Sequence, residues 1–238
     1  SVSIVIPCFN EAGNIPLVVK DLLQRLDDLN RRSELILVDD GSTDNTWDCI
    51  RNSAAEDSRV LGVRQMRNYG QSLAYQAGIE KANGALIVLY SADREIGSEY
   101  LGVVLQKLEE GCDFVNTRRV DRWSGSNRAL GSKLGNALIN AISGLKLYDR
   151  GSGLKGMRRN LAKSMQFYGE MHRFIPDYAS LHTDRIIEIE TDFQDRTYGQ
   201  SAYRGSKRSL PVFLDLMTLM FLIHCARRPF LLSPGRVF

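Results

Sequence analysis

The chain has 238 residues, of which 43% are hydrophobic, and this suits a single globular α/β domain with a full core. Its formal net charge of +3 is too small to indicate a nucleic-acid-binding protein, so no nucleic-acid partner is expected. The four cysteines show neither close pairing nor metal-ligand spacing, which is typical of reduced thiols in the cytosol.

The first ninety or so residues alternate between strand-like and helix-like segments. Short apolar, β-branched runs predict strands at 2–7, 34–40, 60–64 and 85–90. Helical spacing follows the first two runs, and a third helix is predicted at 72–81. This alternation favours an α/β fold with a doubly wound, mainly parallel sheet whose polar loops gather along one edge.

Two acidic residues follow the strand predicted at 85–90. Asp93 and Glu95 are separated by one residue at the carboxyl end of that strand, where open α/β sheets bind ligands. Carboxylates with this spacing suit a hard divalent cation such as Mg2+ or Mn2+, which bridges to substrate phosphates. An acidic residue after a strand is also a common helix cap or turn residue, and that alternative stays open.

Later segments predict a helix at 100–109, a strand at 113–116 and a helix at 130–142. The loop at 8–13 lacks the Gly-x-Gly-x-x-Gly pattern that admits a pyrophosphate beside the backbone. A dinucleotide-dependent oxidoreductase is therefore not expected.

Four segments, taken in order, resemble the family 2 inverting glycosyltransferases, and most of all their dolichol- and polyprenyl-phosphate sugar synthase branch. They are 7–11 (Pro-Cys-Phe-Asn-Glu), 38–44 (Val-Asp-Asp-Gly-Ser-Thr-Asp), 67–70 (Arg-Asn-Tyr-Gly) and 91–93 (Ser-Ala-Asp). The resemblance extends from Val2 to about Pro229 and implies a nucleotide-diphospho-sugar transferase fold of the GT-A type. It implies one domain at 1–205, divided into a nucleotide-sugar half at 1–95 and an acceptor half at 96–205, and then an interfacial helical tail at 206–238.

The same resemblance implies which residues bind the donor, a UDP- or GDP-sugar. The predicted nucleotide-sugar-binding residues are Pro7, Phe9, Asn10, Glu11, Asp39, Asp40, Asn68, Gly70, Ser91, Ala92, Asp93 and Arg196. Asp93 and Glu95 would hold the metal on the diphosphate. Taken singly, Pro7 also reads as the end of a strand, Phe9 as a core residue and Asn10 as a turn residue.

Two positions depart from the family pattern. Ser91 stands where the family usually has the first carboxylate of Asp-Ala-Asp, and Glu95, where the branch commonly has Gln, would restore the lost charge. In the segment at 196–203, Ala202 occupies the position of a phosphate-binding lysine, so Arg204 or Lys207 would have to replace it.

The predicted acceptor side is rich in cations. The acceptor phosphate-binding residues are expected to be Arg118, Arg128, Ser132, Lys155 and Ser201, and the catalytic residues Asp93, Asp149 and Arg118. A hydroxyl acceptor needs a carboxylate base such as Asp149, whereas a phosphate monoester is largely ionised at pH 7 and attacks without one. Because arginine forks onto phosphate, a polyprenyl phosphate is the preferred acceptor.

Two other functions stay open at this point. One is a glycan-extending glycosyltransferase with a hydroxyl acceptor, which would depend on Asp149 as a base. The other is a non-catalytic nucleotide-sugar-binding or scaffold protein, which Ser91 and Ala202 motivate. His172 is expected either near phosphate or simply packed.

The apolar stretch at 210–225 is shorter than the roughly 20 residues that span a bilayer. With Lys207 and Arg208 before it and Arg227 and Arg228 after it, the stretch predicts an interfacial helix on an anionic membrane surface. A core helix or a homo-oligomer interface is the alternative. The expected location is peripheral, on the cytoplasmic face of the membrane, and the resemblance is compatible with a longer native chain that continues into membrane-spanning helices beyond Phe238.

Overall fold

A computed structural model of the chain describes residues 1–120, 140, 144–194, 217–218 and 220–221. The strands are β1 (Val2–Cys8), β2 (Ser33–Asp39), β3 (Val60–Arg64), β4 (Leu86–Tyr90), β5 (Phe114–Val120), β6 (Leu154–Arg158) and β7 (Ile186–Asp192). The α-helices are α1 (Ile15–Asp28), α2 (Thr46–Glu56), α3 (Gln71–Lys81), α4 (Leu101–Glu109), α5 (Arg159–Ser164) and α6 (Ile175–Ala179), with 3₁₀ turns at Ser98–Tyr100 and Met171–Phe174.

The strands form one sheet in the order β3-β2-β1-β4-β6-β5-β7. Pairing is parallel from β3 to β4 and again between β5 and β7, while β6 is antiparallel to both of its neighbours. The predicted doubly wound, mainly parallel sheet is therefore confirmed. The sequence did not predict β6, which begins inside the glycine-rich segment at 149–155.

Apolar layers cover both faces of the sheet, because side chains of a strand point alternately to its two sides. Ile4 and Ile6 of β1 face one layer, with α1, α2 and α4, whereas Val5 faces the other, with α3, α5 and α6. Each of these three side chains is fully buried, and burial of such a side chain contributes about 1.5–3 kcal/mol. Packing of these two layers fixes the positions of the strand ends, and therefore the positions at which the following loops begin.

The end of β1 shows how a proline fits a central strand. Pro7 is paired with Val38 of β2, but the register with β4 stops at Val5 and Leu89. Beyond that point β1 and β4 diverge, so the missing N–H of Pro7 removes no ladder hydrogen bond to β4.

The predicted helix at 130–142 and the tail at 206–238 lie largely outside the described residues. Within the part of the chain that the structure describes, the helices are all too short or too polar to cross a bilayer.

Candidate active site

The loops after β1 and β2 hold each other in place. The Oδ1 atom of Asn10 accepts a hydrogen bond of 2.8 Å from the backbone N–H of Thr43, and the N–H of Asn10 donates to the Ser42 hydroxyl at 3.0 Å. Asn10 has a φ of 57°, a left-handed conformation that asparagine tolerates better than most residues. Asn10 therefore links the two loops. This agrees with the alternative interpretation of Asn10 as a turn residue.

Asp40 holds the loop that follows β3. Its two carboxylate oxygens accept hydrogen bonds from the N–H groups of Tyr69 and Gly70, at 2.8 and 2.9 Å. Burial raises the pKa of Asp40, and so does the neighbouring Asp39 charge, although the two N–H donors act against the rise. Since both oxygens accept from the backbone, Asp40 positions this loop, and its predicted contact with the nucleotide stays a prediction.

Gly41 lets that loop come close. Its φ is +68°, and a Cβ atom at Gly41 would lie 2.4 Å from the carbonyl carbon of Arg67. Only glycine combines this conformation with such a close backbone approach. Asn68 and Gly70 are consequently brought beside the β2 loop, at the edge where the sequence predicted the nucleotide site.

The loop after β4 carries the predicted metal ligand. Ala92 is buried while Ser91 and Asp93 are partly exposed, and Asp93 Oδ1 accepts a bond of 3.4 Å from the N–H of Glu95. The buried hydroxyl of Tyr90 donates to the carbonyl of Ile96 at 2.6 Å, and burial raises the pKa of Tyr90. These bonds close the loop and present Asp93 at its turn.

A buried arginine links this loop to the acceptor half. The side chain of Arg119 is only 2% exposed, and its Nη1 lies 2.6 Å from Oε2 of Glu95. Its Nε and Nη2 atoms donate to Oδ2 and Oδ1 of Asp149, at 2.6 and 2.9 Å. Burial by itself would raise the pKa of Asp149, but the bonds and charge of Arg119 outweigh it and hold that pKa below its ordinary value.

Arg119, and not the predicted Arg118, is the arginine that pairs with Asp149, while the phosphate-binding role of Arg118 stays a prediction. Arg118 points away, with its guanidinium 4.6 Å from the ring centroid of Tyr148 and its Nη2 atom 2.7 Å from Oε1 of Glu190. Arg119 occupies the inward position instead. The alternation of side chains along β5 is the signal that distinguishes the two, and it requires the strand to continue to Val120, four residues beyond the predicted end.

Lys155 is a buried cation on β6. Its ammonium group donates to the carbonyl of Ser152, and burial lowers the pKa of Lys155 to about 7 while the charges of Asp149 and Glu188 act in the other direction. Lys155 therefore lies with Asp149 and Arg119 in one electrostatic cluster. Lys155 is the register partner of Leu89 of β4, and its role in binding the acceptor phosphate stays a prediction.

Arg150 and His172 both form hydrogen bonds within the protein. Arg150 forms a bidentate pair with Asp177 at 2.7 and 2.9 Å, and both side chains are almost completely buried. The Nδ1 atom of His172 lies 3.0 Å from the hydroxyl of Ser72, which also accepts from the N–H of His172 at 3.0 Å. The packed alternative for His172 thus agrees with the structure.

The donor set at Asp93 fits a divalent cation only in part. Among the described residues there is no group of three His, Cys, Asp or Glu side chains that could hold a metal ion. The predicted second ligand, Glu95, is engaged with Arg119. A site with one carboxylate suits Mg2+ or Mn2+ when the remaining oxygens come from water and a diphosphate.

Arg128, Ser132, Arg196 and Ser201 lie outside the described residues, and so does Ala202. Pro7, Phe9 and Glu11 are at the expected edge, partly exposed, with the N–H of Glu11 donating to the Thr46 hydroxyl at 2.8 Å. The predictions for these residues as nucleotide contacts stay predictions.

The mainly parallel seven-stranded sheet, with Asp93 in the loop after β4, agrees with the GT-A type of transferase fold that the four motifs implied. Residues 3–165 match the model of glycosyl transferase family 2. The chain belongs to this family and is a glycosyltransferase, as the four motifs implied.

The chain is similar to two bacterial undecaprenyl-phosphate 4-deoxy-4-formamido-L-arabinose transferases. It is 37% identical to that of Shewanella sediminis over 92% of this chain and 66% of the relative. The identity to that of Proteus mirabilis is 36%, over 94% of this chain and 67% of the relative. The chain thus spans about two thirds of the length of these curated relatives.

Solved structures of glucosyl-3-phosphoglycerate synthase from Mycobacterium tuberculosis share the fold. The complex with UDP has a TM-score of 0.70 at 21% identity and covers 93% of this chain and 80% of that one. The complex with Mn2+, UDP and glucosyl-3-phosphoglycerate has a TM-score of 0.63 at 19% identity, with coverage of 99% and 81%. At these identities the likeness establishes the fold alone.

Proposed function

We propose that this protein transfers a sugar, with inversion, from a nucleoside-diphosphate sugar to a polyprenyl phosphate at a membrane surface. Relatives that are 34–37% identical are named for transfer to undecaprenyl phosphate. The chain carries the family's donor motifs at one edge of its sheet and a cluster of buried cations beside them, on β5 and β6.

The observation that carries the acceptor assignment is the engagement of Asp149. A hydroxyl nucleophile needs a general base within hydrogen-bond reach, and the base must be able to take a proton near the working pH. Both carboxylate oxygens of Asp149 accept hydrogen bonds from Arg119, and this pairing lowers the pKa of Asp149. A lower pKa makes Asp149 a weaker base at neutral pH. A phosphate monoester needs no base, because it is already ionised at pH 7.

Lys155 supports the same acceptor. Its amine is desolvated, which is why its pKa falls to about 7. A phosphate dianion brought beside the amine would favour the protonated form and so gain a charge-assisted hydrogen bond. A neutral sugar hydroxyl would give no such gain, so the buried lysine favours an anionic acceptor.

On the donor side, the chain's residues bind the nucleotide at the edge formed by the loops after β1, β2 and β3. Asp93 would hold Mg2+ or Mn2+, and the ion would neutralise the charge that grows on the leaving diphosphate. Arg119 keeps Glu95 and Asp149 fixed on either side, so that the loop after β4 and the acceptor segment keep one relative position.

The test is a transfer assay with the purified chain, Mn2+ and a panel of UDP-sugars that includes the 4-deoxy-4-formamido-L-arabinose donor. Undecaprenyl phosphate is compared with undecaprenol, which has a hydroxyl in place of the phosphate. We expect sugar to appear on the phosphate and not on the alcohol. Transfer to the alcohol or to a glycan, with none to the phosphate, would contradict the proposal and favour the glycan-extending alternative.

A further inference from the structure

A row of polar side chains crosses β6, β5 and β7 on one face of the sheet. Lys155 of β6 is the register partner of Asn116 of β5, and Asn116 is the register partner of Glu188 of β7. Side chains at paired positions of neighbouring strands leave the sheet on the same face. On β4 the row continues with Leu89, which belongs to the apolar layer formed with α3, α5 and α6. The three polar side chains therefore lie on the face that this layer covers.

Glu188 holds the backbone of the loop that precedes β6. Its Oε1 atom accepts hydrogen bonds from the backbone N–H groups of Tyr148 and Asp149, at 3.2 and 3.1 Å. Its Oε2 atom also accepts from the N–H of Tyr148, at 3.0 Å. A side chain on β7 thus fixes the backbone of the loop residue whose carboxylate pairs with Arg119.

Asn116 ties the same loop to β5. It is fully buried, and its Nδ2 atom donates to the carbonyl of Asp149 at 2.7 Å and to Oε1 of Glu188 at 2.9 Å. Both partners are acceptors, so the amide must present its nitrogen to them. Its Oδ1 atom has no hydrogen-bond partner among the described residues, and a buried oxygen without a donor is costly. That oxygen is an acceptor available to the neighbouring Lys155 when the amine is protonated.

Four groups act on the charge of Lys155, besides its burial. The ammonium group donates to the carbonyl of Ser152. Burial lowers the pKa of Lys155 to about 7, Asp149 acts against that change, Arg119 adds to it, and Glu188 acts against it. Asp149 shares its charge with Arg119 through two hydrogen bonds. The described donors to Glu188 are all neutral amides, so its charge is available to act on Lys155.

We propose that Glu188 is a positioning residue for the acceptor phosphate: it fixes the loop that carries Asp149 and supplies a negative charge to Lys155 across the row. This rests on the proposed function, in which Lys155 binds that phosphate. A nearby opposite charge favours the ammonium form of a lysine over the amine. The phosphate then meets a cation, and the hydrogen bond between them is charge-assisted.

The substitution Glu188→Gln separates the two parts of this role. The three N–H donors described above all lie within 3.2 Å of Oε1 of Glu188, so a glutamine oxygen in that place accepts the same bonds without the charge. Glu188→Leu removes both the bonds and the charge. Asp192→Asn is the matched control, because it changes another carboxylate of β7 to an amide, at a residue that bonds the hydroxyl of Tyr100 at 2.7 Å.

The first measurement needs no reaction. The Cε resonance of Lys155 is followed against pH in the full chain with isotope-labelled lysine, and amide hydrogen exchange is measured at Tyr148 and Asp149. We expect Glu188→Gln to lower the pKa of Lys155 below the parental value of about 7 and to keep both amides protected. Glu188→Leu should also speed exchange of both amides by about tenfold or more, and Asp192→Asn should match the parent. An unchanged Lys155 titration in Glu188→Gln would overturn the proposal.

The second measurement is the KM for undecaprenyl phosphate as a function of pH. The protonation of the lipid phosphate is common to parent and variant, so it cancels in the ratio of their KM values. For Glu188→Gln that ratio should be close to one at low pH, where Lys155 is protonated in both proteins, and rise to roughly threefold or more above neutral pH. A ratio that is the same at every pH would show a purely structural role and overturn the proposal. Absence of transfer to the phosphate, with the Lys155 titration as expected, would count against the proposed function alone.

Discussion

Single side chains at this site have different roles, which measurements of activity and of the free energy of unfolding distinguish. Arg119 is buried between two carboxylates, so it positions Glu95 and Asp149 rather than being free to meet a substrate. Asp93 is the carboxylate at the turn after β4 that we expect to hold a cation. Lys155 is a buried base whose charge depends on what lies beside it.

Asp93→Asn is expected to lower sugar transfer by about a hundredfold or more, since it removes a charge that holds the cation at the leaving diphosphate. The melting temperature should stay close to that of the parent, because Asp93 is partly exposed and contributes little packing. Steady-state rates across a Mn2+ titration, together with a melting curve, are the measurement. If Asp93→Asn turned over at nearly the parental rate at low Mn2+, the assignment of Asp93 as a metal ligand would be wrong.

Lys155 predicts a pH dependence of stability. The folded protein lowers the pKa of Lys155 from 10.5 to about 7, so between these values the unfolded chain binds more protons and stability rises with pH. The destabilisation caused by burying Lys155 is largest below about pH 7. It disappears as the pH rises toward 10.5, the pKa of the lysine in the unfolded chain. The slope can reach about 1.4 kcal/mol per pH unit for a single group.

Lys155→Met, which keeps the length of the side chain without the charge, should remove this dependence. Urea unfolding of parent and variant at several pH values from 6.5 to 9.5, chosen as roughly the window in which the linkage acts, gives the comparison. The stability of the parent relative to Lys155→Met is expected to increase steadily with pH. Parallel curves would show that the lysine is not deprotonated on folding.

At the scale of elements, the site depends on three loops packed on one another at the carboxyl ends of β1, β2 and β3. Asp40 bonds the backbone of the loop at 69–70, and Gly41 lets that loop approach. A substitution at Gly41 therefore acts on this loop contact and leaves the sheet itself unaltered.

Gly41→Ala tests the contact, with Gly111→Ala as its control. Both glycines have a positive φ, +68° and +115°, but a Cβ atom at Gly41 would meet the Arg67 backbone at 2.4 Å, whereas at Gly111 nothing lies within 4 Å. Both variants carry the conformational strain, and only Gly41→Ala adds a clash, which we expect to cost roughly 1–3 kcal/mol more. Urea unfolding and UDP binding are measured on both; equal losses would mean that the loop is not packed as described.

At the scale of the whole molecule, the exposed apolar residues near the C-terminal end bear on how the proposed lipid acceptor would be reached. Met217, Met220 and Phe221 are helical and exposed, at spacings of three and four residues that place them on one side of a helix. Exposed apolar side chains in such a row suit an interfacial contact with acyl chains. The predicted tail helix at 210–225 otherwise lies outside the described residues and stays a prediction.

The triple variant Met217→Ser, Met220→Ser, Phe221→Ser should lose binding to anionic liposomes without a fall in melting temperature. Full burial of each such side chain is worth about 1.5–3 kcal/mol, so the loss of partition is expected to be large. A matched triple change of the exposed Leu61, Met66 and Val103 to serine should leave flotation unchanged. A collapsed melting temperature for the first triple would show that the helix is a core or oligomer contact.

The fold was predictable because its signals are local. Apolar runs and turn residues marked β1 to β4 within one or two residues, and the helix 71–81 began one residue before its predicted start. The antiparallel β6 was not predictable in this way, since Leu154 to Arg158 mixes apolar and charged residues and becomes a strand only by pairing with β4 and β5. Boundaries of this kind are decided by neighbours in space.

The sequence by itself determined the family, the strand-end motifs and the place of Asp93, because these depend on residue types in a fixed order along one chain. The tertiary structure alone decided that Arg119 and not Arg118 faces Asp149, and that Glu95 is paired. It also left Oδ2 of Asp39 without a donor beside Arg64. Such pairings join residues on different strands, and which partner a charged group takes depends on the direction and burial that packing gives it.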